Sequence, residues 1–212
     1  MTRLSKLQYV PCWLEWAREI QAIAQIGLHF SENQFQRQRF QRLTELAAEI
    51  IAGHCTLEEK ILTNLFLNQA GYATPRVDVR GAVFQGERIL MVKERSDGGW
   101  TLPGGWADVG DVPSEAVERE VWEEAGLQVK AQRVIGIYDA NRTAPMEIFH
   151  AFKIVFLCDL LGGEPRPSDE TTEVAFTPQN EIPTTLSGER TRLRHIQDAF
   201  AFLKDNPPTV FD

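Results

Sequence analysis

The spacing of apolar residues divides the chain into a helical first part and a strand-rich remainder. Up to about residue 72, apolar residues recur every three or four positions, which is typical of amphipathic helices. Gln or Glu three positions after Ser31 and Thr56 predicts a capping box at each of these residues. The pattern predicts three helices, over residues 11–25 with Gly27 as the end, from Ser31 to Gly53, and from Thr56 to Gly71.

From residue 77 onward the pattern changes to the two-residue alternation of half-buried strands. Residues 77–84 alternate, and a return strand over residues 88–95 follows a turn at Gln85-Gly86, so this stretch predicts a β-hairpin. Further strands are predicted over residues 100–102, 133–140, 147–161 and 173–176, with a turn at Gly162-Gly163 and helices over residues 112–125 and 189–203.

The two parts meet at residues 73–76, where Pro75 disfavours a helical conformation at Thr74. We therefore predict a helical domain over residues 1–72, a linker over residues 73–76 and a second domain over residues 77–212. The chain has 212 residues and 43% hydrophobic content, so it is long enough to build a full core and a small second one.

The helix predicted over residues 112–125 carries an unusual charge pattern. Glu120, Glu123 and Glu124 share one face, where like charges repel by roughly 0.2–0.5 kcal/mol per pair, and Arg119 is the basic residue within reach. A solvated acidic face is the plain interpretation. However, the preceding Leu102-Pro103-Gly104-Gly105 turn favours close approach of a phosphate ligand to backbone N–H groups. A hard cation, Mg²⁺ or Mn²⁺, would relieve the repulsion.

Residues 101–127, TLPGGWADVGDVPSEAVEREVWEEAGL, resemble the Nudix box, G-x5-E-x7-R-E-U-x-E-E-x-G-U, in which U is aliphatic. Asp111 stands where the family has Glu, which shortens that carboxylate by one methylene. The matching positions are Gly105, Arg119, Glu120, Val121, Glu123, Glu124, Gly126 and Leu127.

The order of the predicted elements from about residue 77 to 205 resembles the Nudix fold. The resemblance implies an α+β protein, an α/β/α sandwich around a mixed sheet, preceded by a small all-α domain. The N-terminal stretch WLEWAREIQAIAQIGLHFSENQFQRQRF is similar to the helical domain that precedes the Nudix domain in a bacterial subgroup. Members of that subgroup act on nucleoside diphosphates linked to another moiety, such as ADP-ribose or CDP-choline.

The resemblance implies hydrolysis of a phosphoanhydride with the help of Mg²⁺, for which Mn²⁺ can substitute. It implies that Glu120, Glu124 and Glu123 bind the metal together with the Gly104 carbonyl, and that Arg119 orients Glu123. The general base stays open between Glu120 on the helix and Glu170 or Glu173 on a distal loop. Gly105, Asp111 and Gly126 are expected to have structural roles in the motif.

Several residues near the predicted turn are candidate substrate contacts, although each also has a plain structural interpretation. Arg95 ends the hairpin and is a candidate phosphate clamp. Trp106 follows the glycine turn and could stack on a base or cover the helix. Arg80 and Asp78 are candidates for nucleotide contacts, or exposed strand residues, and Tyr138 and Arg142 are candidates for a leaving-group pocket on a loop over residues 137–145.

Three functions are therefore considered. The first is an enzyme that cleaves nucleoside diphosphate-X compounds, with ADP-ribose as the leading substrate and CDP-choline next. The second is a pyrophosphohydrolase that removes modified nucleoside triphosphates, which would not need the N-terminal domain. The third is a non-catalytic ligand sensor on the same fold, against which the three retained glutamates count.

Composition and charge limit the classes of binding partner and the cellular compartment that we expect. A net charge of −8 and a pI near 5.1 argue against nonspecific nucleic-acid binding. Cys12, Cys55 and Cys158 form no C-x-x-C motif, and no apolar run approaches the ~18 residues of a membrane span, so we expect a cytoplasmic protein without membrane contact. Apolar positions on the N-terminal helices, including Trp13, Trp16, Phe35 and Phe40, predict a homodimer.

Overall fold

The computed structural model describes residues 11–108, 110–140, 142, 148–188 and 190–212. These residues form two compact units, which are described separately. The helical unit contains residues 11–75 together with residues 148–150. The sheet unit contains the remaining described residues from Arg76 onward. No helix in the described ranges has the length and apolar content to cross a membrane.

The helical unit consists of α1 (Cys12–Phe30), α2 (Gln34–Ala52) and α3 (Glu59–Leu67). Its core is closed by residues 148–150, where the Phe149 ring meets Phe66 edge-on at 6.0 Å between centroids. Alanines make up much of the core, so the backbones of α1 and α2 can approach closely. The buried apolar residues are Leu14, Ala17, Ala47, Ala48, Ile51, Leu62 and Phe66.

Local signals at the helix ends were partly wrong. Gly27 does not end α1, which continues to Phe30; a Cβ at Gly27 would lie 2.3 Å from the Phe40 ring, so this glycine makes room for helix packing. The cap of α2 is Asn33, whose side chain accepts the Gln36 N–H, and the Ser31 hydroxyl instead donates to the Gly27 carbonyl. At α3 the N-cap residue is Glu58, so the box predicted at Thr56 does not cap the helix.

The sheet unit has one mixed sheet with the strand order β3-β2-β1-β5-β4-β7, and β6 pairs with β2. β1 and β5 are parallel, whereas β1 with β2 and β4 with β5 are antiparallel. Its elements are β1 (Arg76–Gln85), β2 (Arg88–Glu94), β3 (Trp100–Thr101), α4 (Pro113–Ala125), β4 (Leu127–Asp139), β5 (Ala151–Gly163), β6 (Thr171–Pro178), a 3-10 turn (Gln179–Glu181), α5 (Leu193–Asp205) and β7 (Val210–Phe211).

Two apolar cores form, one beneath each long helix of this unit. Val117 and Val121 of α4 pack with Val79 and Val83 of β1. Ile196 and Phe200 of α5 belong to a second core with residues of the sheet that include Ile135 and Val155. The expected α+β sandwich with a mixed sheet, preceded by a helical region, is therefore confirmed.

Several element boundaries differ from the sequence-based prediction. β4 begins directly after the helix cap Gly126, six residues before the predicted start, because its first residues pair with the end of β5. Gly162 and Gly163 are therefore strand residues and do not form the predicted turn. α5 starts at Leu193 rather than 189, and β7 was not predicted. Residues 143–147 and 189 lie outside the described residues.

The glycine turn is attached to β1 by backbone hydrogen bonds. β1 pairs with β2 next to the hairpin turn, at Phe84 and Ile89. Further along β1, Val79 N–H donates to the Gly105 carbonyl at 2.8 Å and Gly81 N–H donates to the Pro103 carbonyl at 2.8 Å. The turn before α4 is thus held against β1, and Asp78 and Trp106 form an isolated antiparallel bridge there.

Candidate active site

Gly104 lies in a conformation and a space that exclude a side chain. Its φ is +143°, and an added Cβ would lie 2.0 Å from the Val79 carbonyl oxygen and 2.8 Å from Arg80 Cα. These neighbours are backbone atoms of β1, which cannot move without breaking the sheet. The turn therefore rests directly on β1, and its backbone groups are fixed in position.

Glu124 on α4 lies behind this turn. It is 5% exposed, and its Oε2 accepts the Gly104 N–H at 2.9 Å. Burial raises the pKa of Glu124 to about 7, although the positive charge of Arg80 and the Gly104 hydrogen bond act in the opposite direction. The buried face of α4, with Val117 and Val121 in the core, holds Glu124 in this position.

Glu120 lies one helical turn before Glu124 and contacts the same turn. An added Cβ at Gly105 would lie 2.7 Å from Glu120 Oε2, so the second glycine leaves room for this carboxylate. Burial raises the pKa of Glu120, and Arg119 opposes the shift. The charge of Glu120 also raises the pKa of Glu124, and both carboxylates lie beneath the Gly104-Gly105 turn.

Arg119 binds three carboxylates of the motif. Its guanidinium is 2.7 Å from Glu120, 3.0 Å from Asp111 and 3.2 Å from Glu123. The predicted pair with Glu123 is present, but Glu123 is more than half exposed and Glu120 is closer. The N-cap residue of α4 is Val112, so Asp111 lies just before the helix. The Asp108 N–H and then Arg119 lower the pKa of Asp111.

A buried ion cluster lies on β1 and β5 behind the turn. Asp78 accepts two hydrogen bonds from Arg80, at 2.7 and 2.9 Å, and one from Lys153 at 2.8 Å. Burial favours the neutral acid, but the two cations outweigh it and hold the Asp78 pKa below its ordinary value. Arg80 also donates to the Leu102 carbonyl at 3.3 Å, which links the cluster to the turn.

The burial of Asp78 and Arg80 corrects the sequence-based expectation for them. Neither is an exposed strand residue, since they are 4% and 3% exposed. The hydrogen bonds of the Arg80 guanidinium go to Asp78 and Leu102, so a direct nucleotide contact of Arg80 is not supported. Arg80 acts instead as a buried counter-charge, and its field lowers the pKa of Glu124.

Glu94 at the end of β2 was not predicted as a site residue. It is 3% exposed, and burial raises its pKa. Arg190 Nε lies 3.2 Å from Glu94 Oε1. The signal in the sequence is a glutamate two residues after the apolar run Ile89-Leu90-Met91-Val92, but the same pattern is expected of an exposed strand end.

The segment over residues 168–171 is held by Arg95. Arg95 N–H donates to the Glu170 carbonyl at 2.8 Å, and its guanidinium donates to the carbonyls of Asp169 at 2.8 Å and Thr171 at 3.2 Å. Arg95 therefore fixes the loop that carries Glu170. Glu173 instead pairs with Lys93 at 2.6 Å and is 55% exposed.

The other predicted substrate contacts are an exposed tryptophan, a buried tyrosine and an exposed arginine. Trp106 is 45% exposed beside the turn, with the Arg76 guanidinium 5.8 Å from its ring centroid. Tyr138 is buried in β4 and donates to Asp198 at 2.9 Å, so the prediction that it lies on a loop is wrong. Arg142 is exposed, with its Nε 3.8 Å from Asp139.

The carboxylate oxygens of this site suit a hard cation, although the side chains alone do not supply a complete set of metal ligands. Among the residues that the structure describes, no three His, Cys, Asp or Glu side chains lie close enough to hold a metal ion. Mg²⁺ is commonly bound by one or two carboxylates, with waters and substrate phosphates as the other ligands. Glu120 and Glu124, whose pKa values are raised by burial beside each other, offer two such carboxylates.

The raised pKa of Glu124 predicts how the stability of the metal-free protein depends on pH. Its folded pKa, about 7, exceeds the unfolded value of 4.5, so the stability it contributes is full below pH 4.5 and is lost as the pH rises through 7. The loss amounts to about 3 kcal/mol at 1.36 kcal/mol per pKa unit. Urea unfolding in EDTA at pH 5, 6, 7 and 8 measures it, and Glu124→Gln should flatten the curve. An equal slope in both proteins would contradict the assignment to Glu124.

Two family models match the chain. Residues 11–66 match the model described as UDP-X-like, N-terminal oligomerisation domain. Residues 74–198 match the NUDIX domain model. The second match contains the glycine turn, α4 and the residues 168–171.

Curated relatives and solved structures agree with these matches. A putative ADP-ribose pyrophosphatase, YjhB of Bacillus subtilis strain 168, is 37% identical over 202 residues, which is 94% of this chain and 97% of the relative. The ADP-ribose pyrophosphatase of Methanocaldococcus jannaschii is 35% identical over 53% of this chain and 67% of its own.

Two crystal structures are similar in fold. The structure of a UDP-X diphosphatase has a TM-score of 0.62 at 27% identity and covers 96% of this chain and 99% of its own. An ADP-ribose pyrophosphatase from Streptococcus suis 89-1591 has a TM-score of 0.60 at 38% identity and covers 66% of this chain and 100% of its own.

Proposed function

Because the chain belongs to the Nudix family, we propose that it hydrolyses the pyrophosphate bond of a nucleoside diphosphate linked to another moiety. ADP-ribose, cleaved to AMP and ribose 5-phosphate, is the leading substrate, and CDP-choline is the second. The observation that carries the proposal is the pair of carboxylates, Glu120 and Glu124, beneath the Gly104-Gly105 turn. A pure binding module has no need of two such acids side by side.

We propose Mg²⁺ as the cofactor, with Mn²⁺ as a substitute. Glu120, Glu124 and the Gly104 carbonyl would hold it, and Glu123 would join them, although its exposure and its pair with Arg119 support this less. When bound, the cation would neutralise charge on the phosphate oxygens during attack by water. The chain itself positions the glutamates: the Gly104 N–H fixes Glu124, and Arg119 fixes Glu120.

We propose Glu170 as the general base. Arg95 fixes the loop that carries Glu170 through the backbone carbonyls of residues 168–171. The charge of Glu170 raises the pKa of Glu94, and the charge of Glu94 raises the pKa of Glu124. Glu173 is a weaker candidate, because its exposed carboxylate is held in an ion pair with Lys93 at 2.6 Å. Glu120 remains the alternative on α4.

For the substrate, Trp106 is the contact best supported. Its exposed ring follows the turn directly and is flanked by the Arg76 guanidinium, which suits a nucleobase on the free ring face. Arg142 is exposed and remains a candidate for the leaving group. The contacts of Arg95 with the 168–171 segment support a positioning role over a phosphate clamp.

A panel of candidate substrates tests the proposed reaction. Purified protein with Mg²⁺ is incubated with ADP-ribose, CDP-choline, UDP- and GDP-sugars, dinucleoside polyphosphates and 8-oxo-dGTP, and the monophosphates released are quantified. Turnover of one diphosphate-X compound well above the others is expected. Preference for 8-oxo-dGTP would favour a pyrophosphohydrolase that removes modified nucleoside triphosphates. No turnover of any compound with Mg²⁺ or Mn²⁺ would favour the non-catalytic ligand sensor.

We also propose that the helical domain over residues 1–72 forms a homodimer. Trp16, Ile23 and Phe30 repeat every seven residues along α1 and are 61%, 51% and 65% exposed, so they form one apolar stripe. The name of the matching family model, which describes an oligomerisation domain, supports a second copy as the occupant of this stripe.

Light scattering checks the assembly. The wild-type protein should have the mass of two chains at micromolar concentration, and Ile23→Glu should have the mass of one because it places a charge in the apolar stripe. Lys60→Glu, an exposed charge change on α3 of the same unit, is the matched control and should remain dimeric. A monomeric wild-type protein would remove the proposal.

A further inference from the structure

Glu94 is a buried carboxylate outside the motif, and one of its oxygens lacks a hydrogen bond. Among the described residues, Glu94 Oε1 has no hydrogen-bond partner although the side chain is 3% exposed. Arg190 Nε is 3.2 Å from this oxygen, but its N–H does not point toward it well enough for a hydrogen bond, so the contact is an ion pair alone. Buried carboxylate oxygens normally accept hydrogen bonds. Oε1 therefore retains acceptor capacity.

The position of Glu94 relates this oxygen to the candidate active site. Its charge acts on both Arg80 and Glu124. Arg80 does not satisfy it, because the hydrogen bonds of its guanidinium go to Asp78 and the Leu102 carbonyl. Glu94 of β2 pairs with Thr171 of β6, and the Thr171 hydroxyl donates to the Glu124 carbonyl at 2.9 Å, so the end of β2 lies beside the end of α4 that carries Glu124.

We propose that Glu94 is a further hydrogen-bond acceptor at the cation site, and that its Oε1 accepts a hydrogen bond from a water that hydrates the cation held by Glu120 and Glu124. This inference rests on the proposed function. Mg²⁺ releases its hydration waters reluctantly and keeps several of them when bound by few carboxylates, and those waters need acceptors. A buried carboxylate oxygen without a hydrogen-bond donor, beside the proposed metal ligand Glu124, meets that need. Glu94 acts through the cation's hydration and is therefore a positioning residue.

A purely structural role for Glu94 makes a different prediction. In that case Glu94 serves only to hold Arg190, which also donates to the Ser187 hydroxyl at 3.3 Å. Removal of the Glu94 charge would then affect the site only through Arg190. Combining variants of the two residues separates the possibilities.

Binding of Mn²⁺ to the full-length protein, followed by the electron paramagnetic resonance signal of free Mn²⁺, gives a readout that is independent of turnover. Glu94→Gln should raise the Kd for Mn²⁺ about tenfold or more, in the range found for residues outside the direct ligands. The same increase should appear in the Arg190→Gln background. Glu94→Asp, which keeps the charge, should lie between wild type and Glu94→Gln. Glu87→Gln, an exposed change of equal charge at the hairpin turn, should leave the Kd unchanged.

The outcomes separate the inference from the proposed function. An unchanged Kd in Glu94→Gln, with weakened binding in Glu124→Gln, would overturn the role of Glu94 and leave the proposed function standing. An effect of Glu94→Gln that disappears in the Arg190→Gln background would also overturn it. Absence of Mn²⁺ binding by the wild-type protein would overturn both. Circular dichroism of each variant confirms that the compared proteins are folded.

Discussion

Glu124→Gln is expected to lower kcat by about two to three orders of magnitude, since the charge stabilisation that a cation supplies is worth several kcal/mol. Glu120→Gln should have an effect of similar size. Glutamine matches the shape of the protonated glutamate that burial favours, so the variant keeps the packing around α4. Unlike a damaging core substitution, Glu124→Gln should therefore leave the metal-free protein equally or more stable at pH 8.

Steady-state kinetics with saturating Mg²⁺, together with urea unfolding in EDTA, measures both effects. Glu115→Gln is the matched control, because Glu115 lies on the exposed side of α4 and carries the same charge. It should retain nearly full activity. Nearly full activity of Glu124→Gln with an unchanged dependence on metal concentration would show that the other face of α4 carries the reaction.

Gly104→Ala is expected to destabilise the protein by several kcal/mol and to lower kcat/KM by about 100-fold or more, because a displacement of about 1 Å at a reacting site is that costly. The added Cβ would lie 2.0 Å from the Val79 carbonyl oxygen, and the φ of +143° is unfavourable for alanine. The turn must leave β1, and the Gly104 N–H then no longer fixes Glu124.

The Gly86→Ala control separates the cost of a positive φ from the cost of steric crowding by the added Cβ. Gly86 also has a positive φ, +61°, but an added Cβ there would meet no atom within 4 Å. This control should cost about 1–2 kcal/mol and leave kcat/KM unchanged, since only the left-handed conformation is penalised. Thermal unfolding and kinetics of both variants measure the difference. Equal activity in the two variants would contradict close packing of the turn on β1.

The motif helix was predictable because its signals are local. Pro113 in the first turn, Gly126 in the left-handed conformation at the C-cap and the acidic face all lie within fourteen residues of one another, and α4 spans Pro113–Ala125 as expected. The positions of Glu120 and Glu124 follow from that helix. The pairing of the turn with β1 could not be predicted from local sequence, because the paired residues of β1 lie more than twenty residues before the turn.

Gly27 shows why local signals fail elsewhere. Gly126 and Gly27 both follow an apolar helical pattern, but Gly126 ends α4 whereas Gly27 lies inside α1. The difference is the Phe40 ring, which comes from another helix and occupies the space where a Cβ would be. Periodicity along one helix carries no information on such a neighbour.

The buried charges could not be predicted for the same physical reason. A charged residue in an alternating strand is normally exposed, and Arg80 and Asp78 are buried because Lys153, 75 residues after Asp78, completes their ion cluster. Glu94 likewise depends on Arg190. Thr191, whose hydroxyl accepts the Leu102 N–H at 3.0 Å, supports the glycine turn from almost ninety residues away.

The proposed reaction is tested most directly by product analysis in water enriched in ¹⁸O. With ADP-ribose and Mg²⁺, mass spectrometry should find AMP and ribose 5-phosphate in equal amounts, with a single ¹⁸O in one of the two products, because one water attacks one phosphorus. Glu124→Gln should release neither product at a comparable rate. Absence of both products with Mg²⁺ and with Mn²⁺, or hydrolysis confined to nucleoside triphosphates with release of pyrophosphate, would contradict cleavage of ADP-ribose.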